Sequence, residues 1–139
     1  MKKHILLIEN DENKLDFFSD ALEESDLSYI CSRARSVKQA AIMLKNIVPD
    51  IIFIDMSMPK ASGISFLKKI KEMQCFKTAP VVMYSSITEQ KADKAIISGA
   101  SDYILLPGNV LTMAAILKSF FSGIQEISYA DNIELSFYD

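Results

Sequence analysis

The sequence predicts an α/β fold, a doubly wound five-stranded parallel sheet with helices on both faces. Three observations carry that prediction. Apolar runs alternate with segments of helical period from one end of the chain to the other. The inner runs are continuously apolar, as strands buried on both faces must be. The 139 residues, 50% of them hydrophobic and 24% charged, suffice for one domain with a sizeable core.

The first strand is "HILLIE", His4 to Glu9. From Asp11 to about Glu24, Leu15, Phe18, Ala21 and Leu22 recur at helical spacing with charge between them. "SYICSRA", Ser28 to Ala34, reads as the second strand. Ser36 suits the cap of a helix whose apolar face is Val37, Ala40, Ala41 and Leu44. "PDIIFID" is the strongest central strand, uncharged from Ile51 until it reaches Asp55. "MSMPKASG" is a loop, and "ISFLKKIKEM" a helix that turns Ile64, Leu67 and Ile70 inward. "APVVMYSS" is the fourth strand, opened by a proline that fits a first strand position. Thr88 caps "TEQKADKAIISG", which stops at Gly99. "DYILL" is a short fifth strand, and Asn109 caps a last helix to about Ile127. The domain is thus expected over residues 1–127. The tail 128–139, "SYADNIELSFYD", lacks helical period and is read as a docking segment or a small extra strand.

Strands separated by helices must run parallel, and ligands of such sheets sit beyond the carboxyl ends of the strands, near the switch in strand order. The exits are Glu9-Asn10-Asp11, Ala34-Arg35, Asp55, Ser85-Ser86 and Leu106-Pro107. The first, third and fourth can converge. Two carboxylates about 4 Å apart repel by roughly 4 kcal/mol at an effective dielectric of about 20. A hard cation between them relieves this, and magnesium favours one or two carboxylates, waters and a phosphate oxygen. Asp, Asn and Ser at strand ends also serve as ordinary turn and cap residues. Asp55 stands apart, because the apolar stretch Ile51 to Ile54 carries it into the interior. Aspartate is an acceptor in covalent phosphoryl transfer, and a Ser85 hydroxyl could bond the transferred group.

The bulk properties exclude other classes. A net charge of −3 without a basic block argues against a nucleic-acid footprint. The opening "MKKHILLIEND" is too short an apolar run for a signal peptide, and no stretch approaches the roughly 20 apolar residues of a membrane span. A cytoplasmic location is expected, with Cys31 and Cys75 as reduced, buried thiols. His4, at the start of the first strand, is expected to be inert.

The chain resembles the response-regulator receiver domain, the flavodoxin-like phosphoacceptor module of two-component signalling, from Lys3 to about Ile127. The resemblance is carried by "ILLIEND", "PDIIFIDMSMPKASGISFLKKIK", "PVVMYSS" and "GASDYILLPGN". It implies that Asp55 takes a phosphoryl group from a histidine kinase or phosphotransfer partner. Glu9 and Asn10 fall on the metal-binding acidic pair, and Asp55 and the Ser57 backbone carbonyl would complete a Mg2+ site. Ser85 falls on the switch hydroxyl and Tyr103 on the switch aromatic, although Tyr103 also reads as a packed edge aromatic. The implied docking face for a downstream protein runs from Thr88 to Ile127.

Two positions depart from the family pattern, which has aspartate at Asn10 and lysine at Leu106. At rest the changes offset one another: three carboxylates with one ammonium, or two carboxylates alone, both leave two negative charges. Once phosphate arrives the balance fails, because the lysine would supply a charge-assisted hydrogen bond of about 1.5–3 kcal/mol. Weak magnesium binding and slow phosphorylation are therefore expected. Lys60, after Pro59, reads as a solvated loop lysine and not as a replacement. No output domain follows the last helix, so the expected function is a stand-alone, non-enzymatic phosphoacceptor that signals by docking. The alternative is a receiver-like interaction module that works without phosphorylation. A phosphatase of the haloacid dehalogenase type would need a second aspartate where Ser57 stands, and a flavin binder a phosphate loop that "ENDENK" does not supply.

Overall fold

The computed structural model describes residues 2–56, 80–85 and 100–125, with Ser65, Lys68, Lys69 and Glu72 between them. Five strands form one sheet: β1 (Lys3–Ile8), β2 (Tyr29–Ala34), β3 (Ile51–Asp55), β4 (Val81–Ser85) and β5 (Asp102–Leu105). Their order is β2-β1-β3-β4-β5, and every pair is parallel. The order reverses between β1 and β3, so the switch point lies between the exits that carry Glu9 and Asp55. This is the flavodoxin-like α/β arrangement. The described helices are α1 (Glu12–Ser25), α2 (Val37–Met43) and α3 (Val110–Gln125). The Ser57 and Lys60 loop, Ser86, Cys75, the inward residues Ile64, Leu67 and Ile70, the segment from Thr88 to Gly99, and the tail 128–139 lie outside the described residues. Ser65, Lys68, Lys69 and Glu72 are helical and exposed, the polar side of the helix expected there.

The chain divides into two compact units. The first holds the sheet and α2. One side of its sheet is a cluster of Leu6, Ile8, Ile52, Ile54, Val81 and Met83, closed by Ala40 and Leu44 from and just after α2. On the other side Ile5, Leu7, Phe53 and Val82 are equally buried. Burial on both sides is why these strands read as unbroken apolar runs. Each large side chain so buried contributes about 1.5–3 kcal/mol.

In α2 the expected inward face needs correction. Ser36 caps it as predicted, its hydroxyl accepting from the Gln39 amide at 3.0 Å. Ala41, however, is exposed, and Met43 and Ile47 pack on the cluster instead. A helix of seven residues presents one narrow stripe, Val37–Ala40–Met43, and Ala41 falls about 100° from its centre at Ala40, beyond the edge at Val37.

The second unit holds α1 and α3. In α1, Leu15, Phe18, Ala21, Leu22 and Ser25 make the buried stripe, and Ser25 satisfies its hydroxyl by donating to the Leu22 carbonyl at 2.6 Å. The chain leaves this helix through Asp26 in the left-handed region (φ 59), which a short polar side chain tolerates better than a branched one. Asn109 caps α3 as predicted, its side-chain oxygen accepting from the Thr112 amide at 2.8 Å, and Met113, Ala114, Leu117 and Phe121 are buried. No described helix is long and apolar enough to cross a membrane.

His4 is tied in at the entry end of the sheet: its amide donates to Asp50 at 2.7 Å and its ring meets the Ser32 hydroxyl at 2.8 Å. Cys31 is half-buried, and burial pushes its thiol up to about 11, well away from the reactive thiolate.

Candidate functional site

The parallel register builds the site. Ile8 pairs with Ile54, so Glu9 stands level with Asp55, and Asp55 pairs directly with Tyr84. Side chains alternate along a strand, and Ile8, Ile54 and Met83 belong to the α2 cluster. Glu9, Asp55 and Tyr84 therefore form a row on the opposite face, two residues beyond the apolar row of Leu7, Phe53 and Val82. All three are buried, Glu9 at 0%, Asp55 at 1% and Tyr84 at 0% exposure, as is Ser85 at the end of β4.

Burying two carboxyl groups together demands compensation, and the chain supplies most of it to Glu9. The Tyr84 hydroxyl donates to Glu9 Oε1 at 2.7 Å. Glu9 Oε2 accepts the amides of Asn10 at 3.0 Å and Asp11 at 3.1 Å. Glu9 also shares a side-chain hydrogen bond with Asp55. Burial is the largest influence on Glu9 and, with the Asp55 contact, pushes its carboxyl up to about 7, although the Tyr84 and Asp11 bonds pull it down. Burial, then the Glu9 charge and bond, holds Tyr84 far above the usual phenol range. The phenol is thus a fixed donor.

A carboxyl pair in contact, one member with its proton affinity raised, is the donor set of a site short of positive charge. Among the described residues no cluster of three or more His, Cys, Asp or Glu forms a metal cage. Two carboxylates with waters nevertheless fit a hard divalent cation. Glu9 and Asp55 would hold it, with the amide oxygen of the neighbouring, exposed Asn10. The predicted third ligand, the Ser57 carbonyl, lies outside the described residues.

The exit of β5 is different. The Leu106 amide donates to the Ser85 carbonyl at 3.0 Å, which continues the ladder past the strand and leaves Leu106 half-buried. Leu105 is 47% exposed. No ammonium reaches the site from here. Tyr103 packs against the α2 cluster, and its buried hydroxyl has no hydrogen-bond partner among the described residues. Arg35, at the β2 exit, pairs with Glu12 at 2.5 Å, but both side chains are more than half exposed, so the pair adds little.

The structure thus brings together Glu9 and Asp55, and places Asn10, Ser85 and Leu106 at the ends of the neighbouring strands. Tyr84 is the residue that reading the sequence missed, because "PVVMYSS" makes it look like one more core side chain. Register was the available signal: a tyrosine level with a buried aspartate has a polar tip to place.

Known proteins agree with this architecture. Residues 5–118 match the response regulator receiver domain. A protein-glutamate methylesterase/protein-glutamine glutaminase of Trichodesmium erythraeum is 33% identical over 112 residues, 78% of this chain and 31% of that protein. The chain therefore spans about a third of the length of that relative. The chemotaxis protein CheY of Halobacterium salinarum is 33% identical over 108 residues, covering 77% of this chain and 87% of that one. Among solved structures, the phosphorylated cyanobacterial phytochrome response regulator RcpA superposes with a TM-score of 0.78 at 24% identity, over 91% of this chain and 96% of that one, a likeness of fold. With a match that spans most of its length, on a parallel sheet whose switch point brings Glu9 and Asp55 together, this chain belongs to the response regulator receiver domain family.

Proposed function

We propose that Asp55 accepts a phosphoryl group from the phosphohistidine of a histidine kinase or phosphotransfer protein. The observation that carries this reading is the buried contact between Asp55 and Glu9 at the switch point, beside the buried Ser85. A carboxylate oxygen of Asp55 attacks phosphorus, the phosphorus–nitrogen bond of the donor breaks, and its electron pair stays on the imidazole. Glu9, Asn10 and Asp55, with the Ser57 carbonyl, would hold a magnesium ion, which when bound neutralises the charge that gathers on the phosphoryl oxygens. Ser85 hydrogen-bonds the transferred group, and Tyr103 responds to it. The signal passes to a downstream protein on the Thr88–Ile127 face through a two-state equilibrium that the phosphate biases. The chain itself carries out no turnover, and its place of work is the cytoplasm.

Asn10 and Leu106 weaken the site on this reading. The first lowers the charge offered to magnesium, and the second gives the phosphoryl group no ammonium. The half-buried Leu106 also favours a second reading, a receiver-fold interaction module in which phosphate plays no part. Incubation with a small acyl phosphate and magnesium, followed by intact mass, separates the two. One added phosphoryl unit, lost in Asp55→Asn, is the expected result. No addition, even with a partner kinase, together with partner binding unchanged in Asp55→Asn, establishes the second reading instead.

A further inference from the structure

Tyr84 and Glu9 are 75 residues apart in sequence and stand on strands that are not neighbours. Between β4 and β1 lies β3, and two strand spacings amount to roughly 9–10 Å. To reach Glu9 Oε1 at 2.7 Å, the phenol of Tyr84 must cross the exit of β3, where Asp55 sits. Its hydroxyl therefore straps the carboxyl pair from the far side. The Glu9 carboxylate offers about four acceptor positions. Oε2 holds the Asn10 and Asp11 amides and Oε1 holds the Tyr84 hydroxyl, so neither oxygen is without a protein donor that a cation would have to meet. The two amide bonds are set by the turn of the chain after β1, so the donor that can leave is the side chain.

We propose that Tyr84 is a positioning residue whose hydroxyl competes with the divalent cation for Glu9, so that the cation enters only when the strap across Asp55 lets go. This rests on the phosphoacceptor reading for its purpose, but its own content is a competition between a phenol proton and a metal ion for one oxygen. It gives weak magnesium binding a cause beyond Asn10. It also makes metal entry and exposure of the acceptor, 1% exposed with the strap in place, a single event.

The test is calorimetric titration of the full chain with magnesium chloride, wild type against Tyr84→Phe, which keeps the ring and removes the hydroxyl. The variant is expected to bind magnesium about tenfold tighter, the equivalent of one charge-assisted hydrogen bond near the low end of its range. A merely structural tyrosine would lower stability and leave that affinity where it was. Unchanged or weaker binding in the variant, or no binding by either protein, overturns the proposal. Wild-type protein labelled at the tyrosine Cζ provides a measurement that needs no variant. On adding magnesium chloride the Tyr84 signal should move towards that of a free phenol while the other four tyrosines stay put. A stationary Tyr84 signal at saturating magnesium also overturns it. Phosphoryl uptake is read separately by mass: tighter magnesium binding in Tyr84→Phe with no uptake in either protein sinks the phosphoacceptor reading and sustains the strap.

Discussion

The two ends of the sheet's carboxyl rim treat polar atoms in opposite ways. At β1, β3 and β4, Glu9 is buried and each of its oxygens receives a donor from the protein. At β5 the strand ends on Leu105 and is followed by Leu106, and the buried polar atom there, the Tyr103 hydroxyl, has no partner among the described residues. The acidic half of the site is built in detail, and the half at the β5 exit is bare of charge among the described residues. The difference teaches that a fold can hold a charged constellation by local hydrogen bonds alone. Receiving a further anion is a separate requirement that those bonds do not meet.

The sharpest way to probe the built half is pH. Glu9 titrates near 7 in the folded chain against 4.5 for an ordinary glutamate. Between those values the folded state holds a proton that the unfolded state lacks, so stability must fall as pH rises from about 4.5 to 7. The loss is on the order of 3 kcal/mol, measured by urea denaturation in a chelating buffer. Glu9→Gln should flatten the profile; a slope that survives in this variant assigns the effect elsewhere.

Leu106→Lys would give the bare half its cation. Phosphoryl uptake from a small acyl phosphate should accelerate tenfold to a hundredfold, matching a gain of about 1.5–3 kcal/mol at the phosphoryl oxygens. Unchanged uptake would mean that the β5 exit does not face the acceptor. A third experiment joins the halves. Asn10→Asp alone should bind magnesium several-fold tighter, and combining it with Leu106→Lys should give a coupling of about 0.5–3 kcal/mol. Strict additivity would refute the idea that the two departures offset one another. The smallest effect concerns Tyr103. Replacing it by Phe removes a buried hydroxyl that has no partner among the described residues, which should stabilise the chain by about 1 kcal/mol in thermal unfolding. A loss of stability would reveal a partner for that hydroxyl.

Most of the fold was legible because the inner strands are buried on both faces. Ile51 to Ile54 and Val81 to Tyr84 admit no other reading, and the caps at Ser36 and Asn109 announce their helices. Ala41 misled because a two-turn helix leaves the width of its stripe undetermined, and only packing shows that Met43 and Ile47 take its place. In the site, Asp55 was legible as a carboxylate that follows an apolar run. Glu9 was legible as the exit of the neighbouring strand. Tyr84 was not, since its role depends on which strand lies two places away, and hydrophobic periodicity carries no information about that order.

That dependence on strand order also governs when the site comes into being. β1 is made early in the chain, but its second neighbour begins at Ile51, and the phenol that reaches Glu9 comes 75 residues after it. Closing loops of that length must precede any reward from the contacts they permit. Until β4 docks, the acids of β1 and β3 face each other without that donor. Assembly of this corner is therefore the uphill stretch of folding, and divalent ions in the refolding buffer should quicken it.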